Sequence, residues 1–111
     1  MAVKTAELVR NPGVFGEGRG EALVFAAANG HVNVVKSLLD NGTDVNAKRK
    51  DGETALVWAA STGRTDVVKF LLAKGADVNA RPKDGRTALQ RAKDRGDWQI
   101  VELLKAHGAK E

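Results

Sequence analysis

The chain has 111 residues, with 18 Lys or Arg against 14 Asp or Glu, a net charge of +4 and no cysteine. That length suits one domain, and the lack of cysteine excludes a disulfide framework, a thiolate metal site and a thiol nucleophile. No uncharged apolar run approaches the ~20 residues of a membrane span and no secretory leader is recognisable, so a soluble, cytoplasmic protein is expected.

In chain order, residues 3–10, VKTAELVR, read as a short helix stopped by Asn11-Pro12-Gly13. The stretch 12–20, PGVFGEGRG, follows no predicted strand and lacks the Lys-Ser/Thr of a phosphate-binding loop, and no regular element is assigned to it. A period of 33 residues then takes over. Block 51–83, DGETALVWAASTGRTDVVKFLLAKGADVNARPK, restarts at residue 84 as DGRTALQRAKDRGDWQIVELLKAHGA. Block 18–50, GRGEALVFAAANGHVNVVKSLLDNGTDVNAKRK, agrees with the middle one at about half its positions. Gly30, Gly63 and Gly96 keep register, as do Leu38, Leu71 and Leu104, and Gly42, Gly75 and Gly108. Such self-similarity means stacked units, each too small to bury its apolar face alone.

Within the middle block, Leu56 to Ala60 predict a helix over about 54–61, with Thr54 as N-cap and Gly63 as its end. A second helix is predicted from Thr65-Asp66, which offer capping oxygens, with Val67, Val68, Leu71 and Leu72 on one side and Gly75 as its stop. The Asp-, Asn- and Gly-rich segment from Ala76 to the position equivalent to Glu53 is the connecting turn. Ala26, Ala27, Ala59, Ala60 and Ala92 allow close approach between units. In the last block Lys93 and Lys105 stand where the middle one has Ala60 and Leu72, so that unit is read as a cap with both lysines in solvent, shielded by Trp98.

These blocks resemble the ankyrin repeat. The resemblance rests on DG-x-TAL-x-x-A, G-x-x-x-VV-x-x-LL and GADVNA, and covers roughly residues 20–109. It implies an all-α solenoid of helix pairs joined by protruding hairpin-like turns. The expected domain is single, 1–111, with an N-terminal capping segment 1–17, repeats 18–50 and 51–83, and a capping repeat 84–111; it is read as a complete stack and a monomer when unbound. Two departures are evident. The usual proline after the threonine is Ala55 or Ala88, and the usual histidine is Val57 or Gln90. Both changes are expected to loosen the turns, by about 0.5–1 kcal/mol per proline site.

The resemblance implies a protein-binding module without catalysis or cofactor; an engineered binder anchored on Trp58 is a variant of the same reading. Phe25, Trp58 and Arg91 lie one period apart on the first helices, at the site that in the ankyrin pattern borders the concave surface. Aromatic and arginine side chains are over-represented among binding hot spots. The column is therefore the candidate partner site, rimmed by Lys50, Glu53, Ser61, Lys83, Arg86 and Asp94, against the alternative that Phe25 and Trp58 pack on the turns. Lys48, Arg49, Lys50, Arg81, Lys83 and Arg86 form a basic ridge, continued by Arg91, Lys93 and Arg95, which suits a partner with an acidic and apolar patch. The alternative function is a polyanion or nucleic-acid binder on that ridge, though Asp51, Glu53, Asp84 and Asp94 interrupt it. His31 reads as part of an interhelix turn and His107 as a helix C-terminal residue favourable to the dipole. No metal cluster or acid/base pair stands out.

Overall fold

The computed structural model describes residues 18–110; the helix expected over 3–10 lies outside the described residues. Among these, six helices and no strand are found: α1 Gly18–Ala28, α2 Val32–Asp40, α3 Ala55–Thr62, α4 Thr65–Ala73, α5 Ala88–Arg95 and α6 Trp98–Ala106. They pair as α1/α2, α3/α4 and α5/α6. The first helices pack in one row, labelled the inner row, α1 on α3 on α5, and the second helices in another, labelled the outer row, α2 on α4 on α6.

Local chemistry sets the helix starts. Thr54 is extended, and its hydroxyl accepts from the Val57 N–H at 3.3 Å. At α5 the Thr87 hydroxyl accepts from the Gln90 N–H while Gln90 Oε1 accepts from the Thr87 N–H at 3.0 Å, a reciprocal capping box. Gln90 thus braces this start, contrary to the loosening expected from the missing histidine. Two further expectations are corrected. Thr65 is the first residue of α4, whose N-cap, Arg64, makes no side-chain capping bond. Gly18, Arg19 and Gly20 are helical, placing Glu21 in the first turn of α1, where a carboxylate is favourable to the helix dipole.

α3 and α5 end at Gly63 and Gly96, whose φ of 75° and 78° is left-handed, a conformation that costs glycine little.

Packing runs across units. Ala26, Ala27, Ala59, Ala60 and Ala92 are all buried, and Leu38, Leu71 and Leu104 fill the layers between the rows. Burial of one such leucine contributes about 1.5–3 kcal/mol, so the contact between units supplies what a single helix pair lacks. At the C-terminal end Lys105 is exposed and Lys93 half-buried, whereas their counterparts Leu72 and Ala60 are buried. Trp98, the first residue of α6, is 62% exposed.

The recurring Val-Asn-Ala has a structural cause. Asp44 and Asp77 each accept from the N–H two residues on, at Asn46 and Asn79, which fixes the turn. Asn46 Oδ1 then accepts from the Asp77 N–H of the next unit at 2.7 Å, and Asn79 Oδ1 from the Lys110 N–H at 2.9 Å. Each asparagine therefore sets the spacing to its successor. Asn46→Ala removes this acceptor and should lower stability by about 0.5–1.5 kcal/mol. The check is urea unfolding, with a lower midpoint and an unchanged slope; an unmoved midpoint would show that the bond contributes nothing.

Candidate functional site

The three residues of the predicted column share the inner row but not one environment. Phe25, on α1, is 69% exposed. Trp58, on α3, is half-buried, with the Arg49 guanidinium 5.9 Å from its ring centroid. Its indole Nε1 is buried and meets no acceptor among the described residues. Thr62 ties the C-terminal turn of α3 to α1, its hydroxyl lying 2.9 Å from the Trp58 carbonyl and 3.0 Å from that of Ala28.

Arg91, on α5, is a structural cation. Its Nη1 and Nη2 donate to the two oxygens of Glu53 at 2.7 and 2.8 Å, Nη2 also reaches Asp84 at 3.0 Å, and Nε donates to the Arg86 carbonyl at 3.3 Å. The side chains of Arg91 and Glu53 are 11% and 8% exposed. A bidentate, charge-assisted pair this dry holds the second unit to the third. Glu53, expected on the rim, is in fact beneath it, held from the turn where its N–H donates to Asp51 Oδ1 at 3.0 Å. One sequence signal could have found the pair: the position of Glu53 is Gly20 and Arg86 in the other units, so this acid is specific to one junction.

The remaining rim residues separate into two clefts of about 350 Å³ each. One is lined by Glu53, Trp58, Lys83 and Arg91 together with Asp51 and Asp84. The other is lined by Ser61, Arg86, Arg91 and Asp94 together with Asp84 and Arg95. Arg86 and Asp94 form an ion pair in solvent. Lys50 is exposed on the turn that precedes Glu53. Phe25 borders a different cleft, with Arg49 as the boundary towards Trp58. Sequence reading missed Arg49 as the residue stacked on Trp58, and Asp84 as a partner of Arg91.

The turns hold their shape through backbone bonds. Gly52 and Gly85 donate to the carbonyls of Arg49 and Pro82, each at 2.9 Å, and the Lys83 N–H reaches across to the Asp51 carbonyl at 3.0 Å. Asp84 is depressed below its ordinary value of 3.8, first by the hydrogen bond from the Arg86 N–H, with the charges of Arg91 and Arg86 acting in the same direction against desolvation. His31 is the exposed N-cap of α2 and makes no side-chain capping bond; the His107 Nδ1 donates to the Leu103 carbonyl at 2.9 Å, in the last turn of α6 as expected. Among the described residues no group of three or more His, Cys, Asp or Glu could hold a metal ion, and no helix is long and apolar enough to cross a membrane.

Two comparisons bear on this arrangement. The family model for ankyrin repeats matches residues 17–111, in three copies. No curated protein matches the chain.

Because the folded pKa of Asp84 is depressed, its contribution to stability is complete above about 3.8 and is lost as pH falls through the lower folded value. Asp84→Asn should therefore flatten the acid limb of a stability-versus-pH curve below about pH 4, read from urea midpoints. An acid limb identical to that of the wild type would contradict the assignment. Arg86→Ala, which breaks the solvent-exposed pair with Asp94 and removes one charge near Asp84, should change stability by about 0.5 kcal/mol or less at pH 7.

Proposed function

The chain belongs to the ankyrin-repeat family, whose members are generally protein-interaction modules and typically non-catalytic, and on that premise we propose that it binds a protein partner on the face carrying Phe25 and Trp58. The observation that supports this most is Phe25, 69% exposed on the inner row, one unit from a half-buried tryptophan whose N–H meets no acceptor among the described residues. An exposed aromatic surface and a buried donor without a partner are both relieved by a docking surface that brings apolar groups and an acceptor. Lys48, Arg49, Lys50, Arg81 and Lys83 are exposed beside it, so the partner's patch is apolar and acidic. The free chain is a cytoplasmic monomer in this reading, which applies equally to a natural module and to an engineered binder.

The contact surface is smaller than the column. Arg91 and Glu53 neutralise each other and leave binding to the Phe25–Trp58 end. The same neutralisation weighs against a polyanion site, because Arg91 and Arg86 have carboxylate partners within the chain. What remains of the ridge supports weak, salt-sensitive, sequence-indifferent contact with nucleic acid.

A partner captured with the wild-type chain and then produced in pure form provides the test by calorimetry. Phe25→Ala and Trp58→Ala should each weaken binding by on the order of 2 kcal/mol, about 30-fold in Kd, with the Phe25 variant as stable as the wild type to within about 0.5 kcal/mol. Trp58→Phe keeps the ring and removes the donor; a loss of affinity there assigns the N–H to the partner. Binding unaffected by all three changes but abolished by charge reversal at Lys48 and Lys50 would transfer the site to the ridge.

A further inference from the structure

The turn between the first two units carries a guanidinium that the fold does not consume. Arg86 and Arg91 are engaged by Asp94, Glu53 and Asp84, whereas Arg49 is exposed and no carboxylate pairs with it among the described residues. Yet Arg49 is not loose. Its backbone N–H donates to the Glu53 carbonyl and its own carbonyl accepts from the Gly52 N–H, each at 2.9 Å, which closes the turn around it. The guanidinium lies 5.9 Å from the Trp58 ring centroid and lines the cleft of about 570 Å³ that Phe25 and Glu21 also border. It therefore stands between the two aromatics. The position is specific to this junction, since its counterpart one period on is the buried Pro82.

We propose that Arg49 is the residue by which this face selects its partner, receiving the side-chain carboxylate of an Asp or Glu flanked by apolar residues. The inference rests on the reading that Phe25 and Trp58 form the docking surface, and adds the group that decides what docks there. A guanidinium held at an indole keeps its rim of N–H donors for a planar acceptor, and a carboxylate takes two of them in parallel. The closed turn and the ring restrict Arg49 beforehand, so less entropy is lost on pairing. A lysine would offer a point charge without the fork. Lys48, Arg49 and Lys50 outnumber Glu21 and Asp51 here, so an approaching carboxylate is attracted despite the acid in the cleft. A chain-terminal carboxylate is the other source of this chemistry. Its capture draws on a nest of free backbone N–H donors, and those of Arg49, Gly52 and Glu53 are already taken. The side-chain carboxylate is therefore the better fit.

The probe is the blocked tripeptide acetyl-Phe-Glu-Phe-amide, titrated into the full chain while the Arg49 Nε–H and Trp58 Nε1–H signals are followed by NMR. Both signals should shift together and saturate. Acetyl-Phe-Gln-Phe-amide, and the same Gln peptide with a free C-terminal carboxylate, should each bind about tenfold more weakly, the loss of a charge-assisted pair. With the Glu peptide, Arg49→Gln should lose about tenfold and Arg49→Lys about fivefold, because the lysine keeps the charge but not the fork. Lys69→Gln, which removes one charge from the exposed side of α4, should match the wild type. No saturable shift at Arg49, affinity of Arg49→Lys equal to the wild type, or equal shifts from inorganic phosphate overturns the proposal. Tighter binding of the peptide with the free carboxylate overturns it in favour of a chain terminus. The underlying reading fails separately: if Phe25→Ala and Trp58→Ala weaken a captured partner while Arg49→Lys does not, the docking surface stands and the role of Arg49 falls.

Discussion

None of the six described helices can bury its apolar side without a neighbour 33 residues away. The helices are 8 to 11 residues long, below the length at which an isolated helix is stable in water. Burial between rows and between units is the term that pays for their order. Small residues at Ala27, Ala60 and Ala59 follow from this, because the first helices must approach closely, and so do leucines at a fixed phase. The Asp-Asn pairs of the turns belong to the same constraint. They are polar, exposed and local, yet they set the distance at which the apolar layers meet.

That constraint also decides what each repeated position does. One residue type at one phase has different surroundings at the two ends and in the middle of a stack. Phe25 has only one neighbouring unit among the described residues and is exposed. Trp58 lies between two and is half-buried under Arg49. Arg91, at the same phase, meets an acid from the previous unit and is withdrawn from the surface. A column that reads as three equivalent contact residues is therefore one open aromatic, one partly covered aromatic and one structural cation. The electrostatics follow: Glu53 and Asp84 consume the positive charge at the C-terminal half of the face, while Lys48, Arg49 and Lys50 keep theirs beside the aromatic half.

The parts of this structure that were legible in the sequence are those set by local chemistry and by the period. Thr54 as a cap, the α3 and α4 spans to within a residue or two, Gly63 as the end of α3 and the all-α repeat architecture all depend on residues near one another or in strict register. The misreadings arise where a partner comes from elsewhere or where two local solutions compete. Thr65 carries a capping oxygen but the helix starts on it, because the tight turn at Gly63 places Arg64 at the boundary. Gln90 stands where the repeat usually has a histidine and closes the helix start by a reciprocal bond between its side-chain amide and the Thr87 N–H. Glu53 looked like a surface charge on a turn, and its role depends on Arg91, 38 positions later.

The claim that the inner face is divided into a structural end and an accessible end rests on the coupling between Glu53 and Arg91. A double-mutant cycle with Glu53→Gln, Arg91→Met and the combination, followed by urea unfolding at low and high salt, measures it directly. The account predicts a coupling of about 2–3 kcal/mol that changes little with salt, as for a buried and hydrogen-bonded charge pair. A coupling below about 0.5 kcal/mol, or one abolished by salt, would mean that the pair is a surface contact and that Arg91 remains available to a partner.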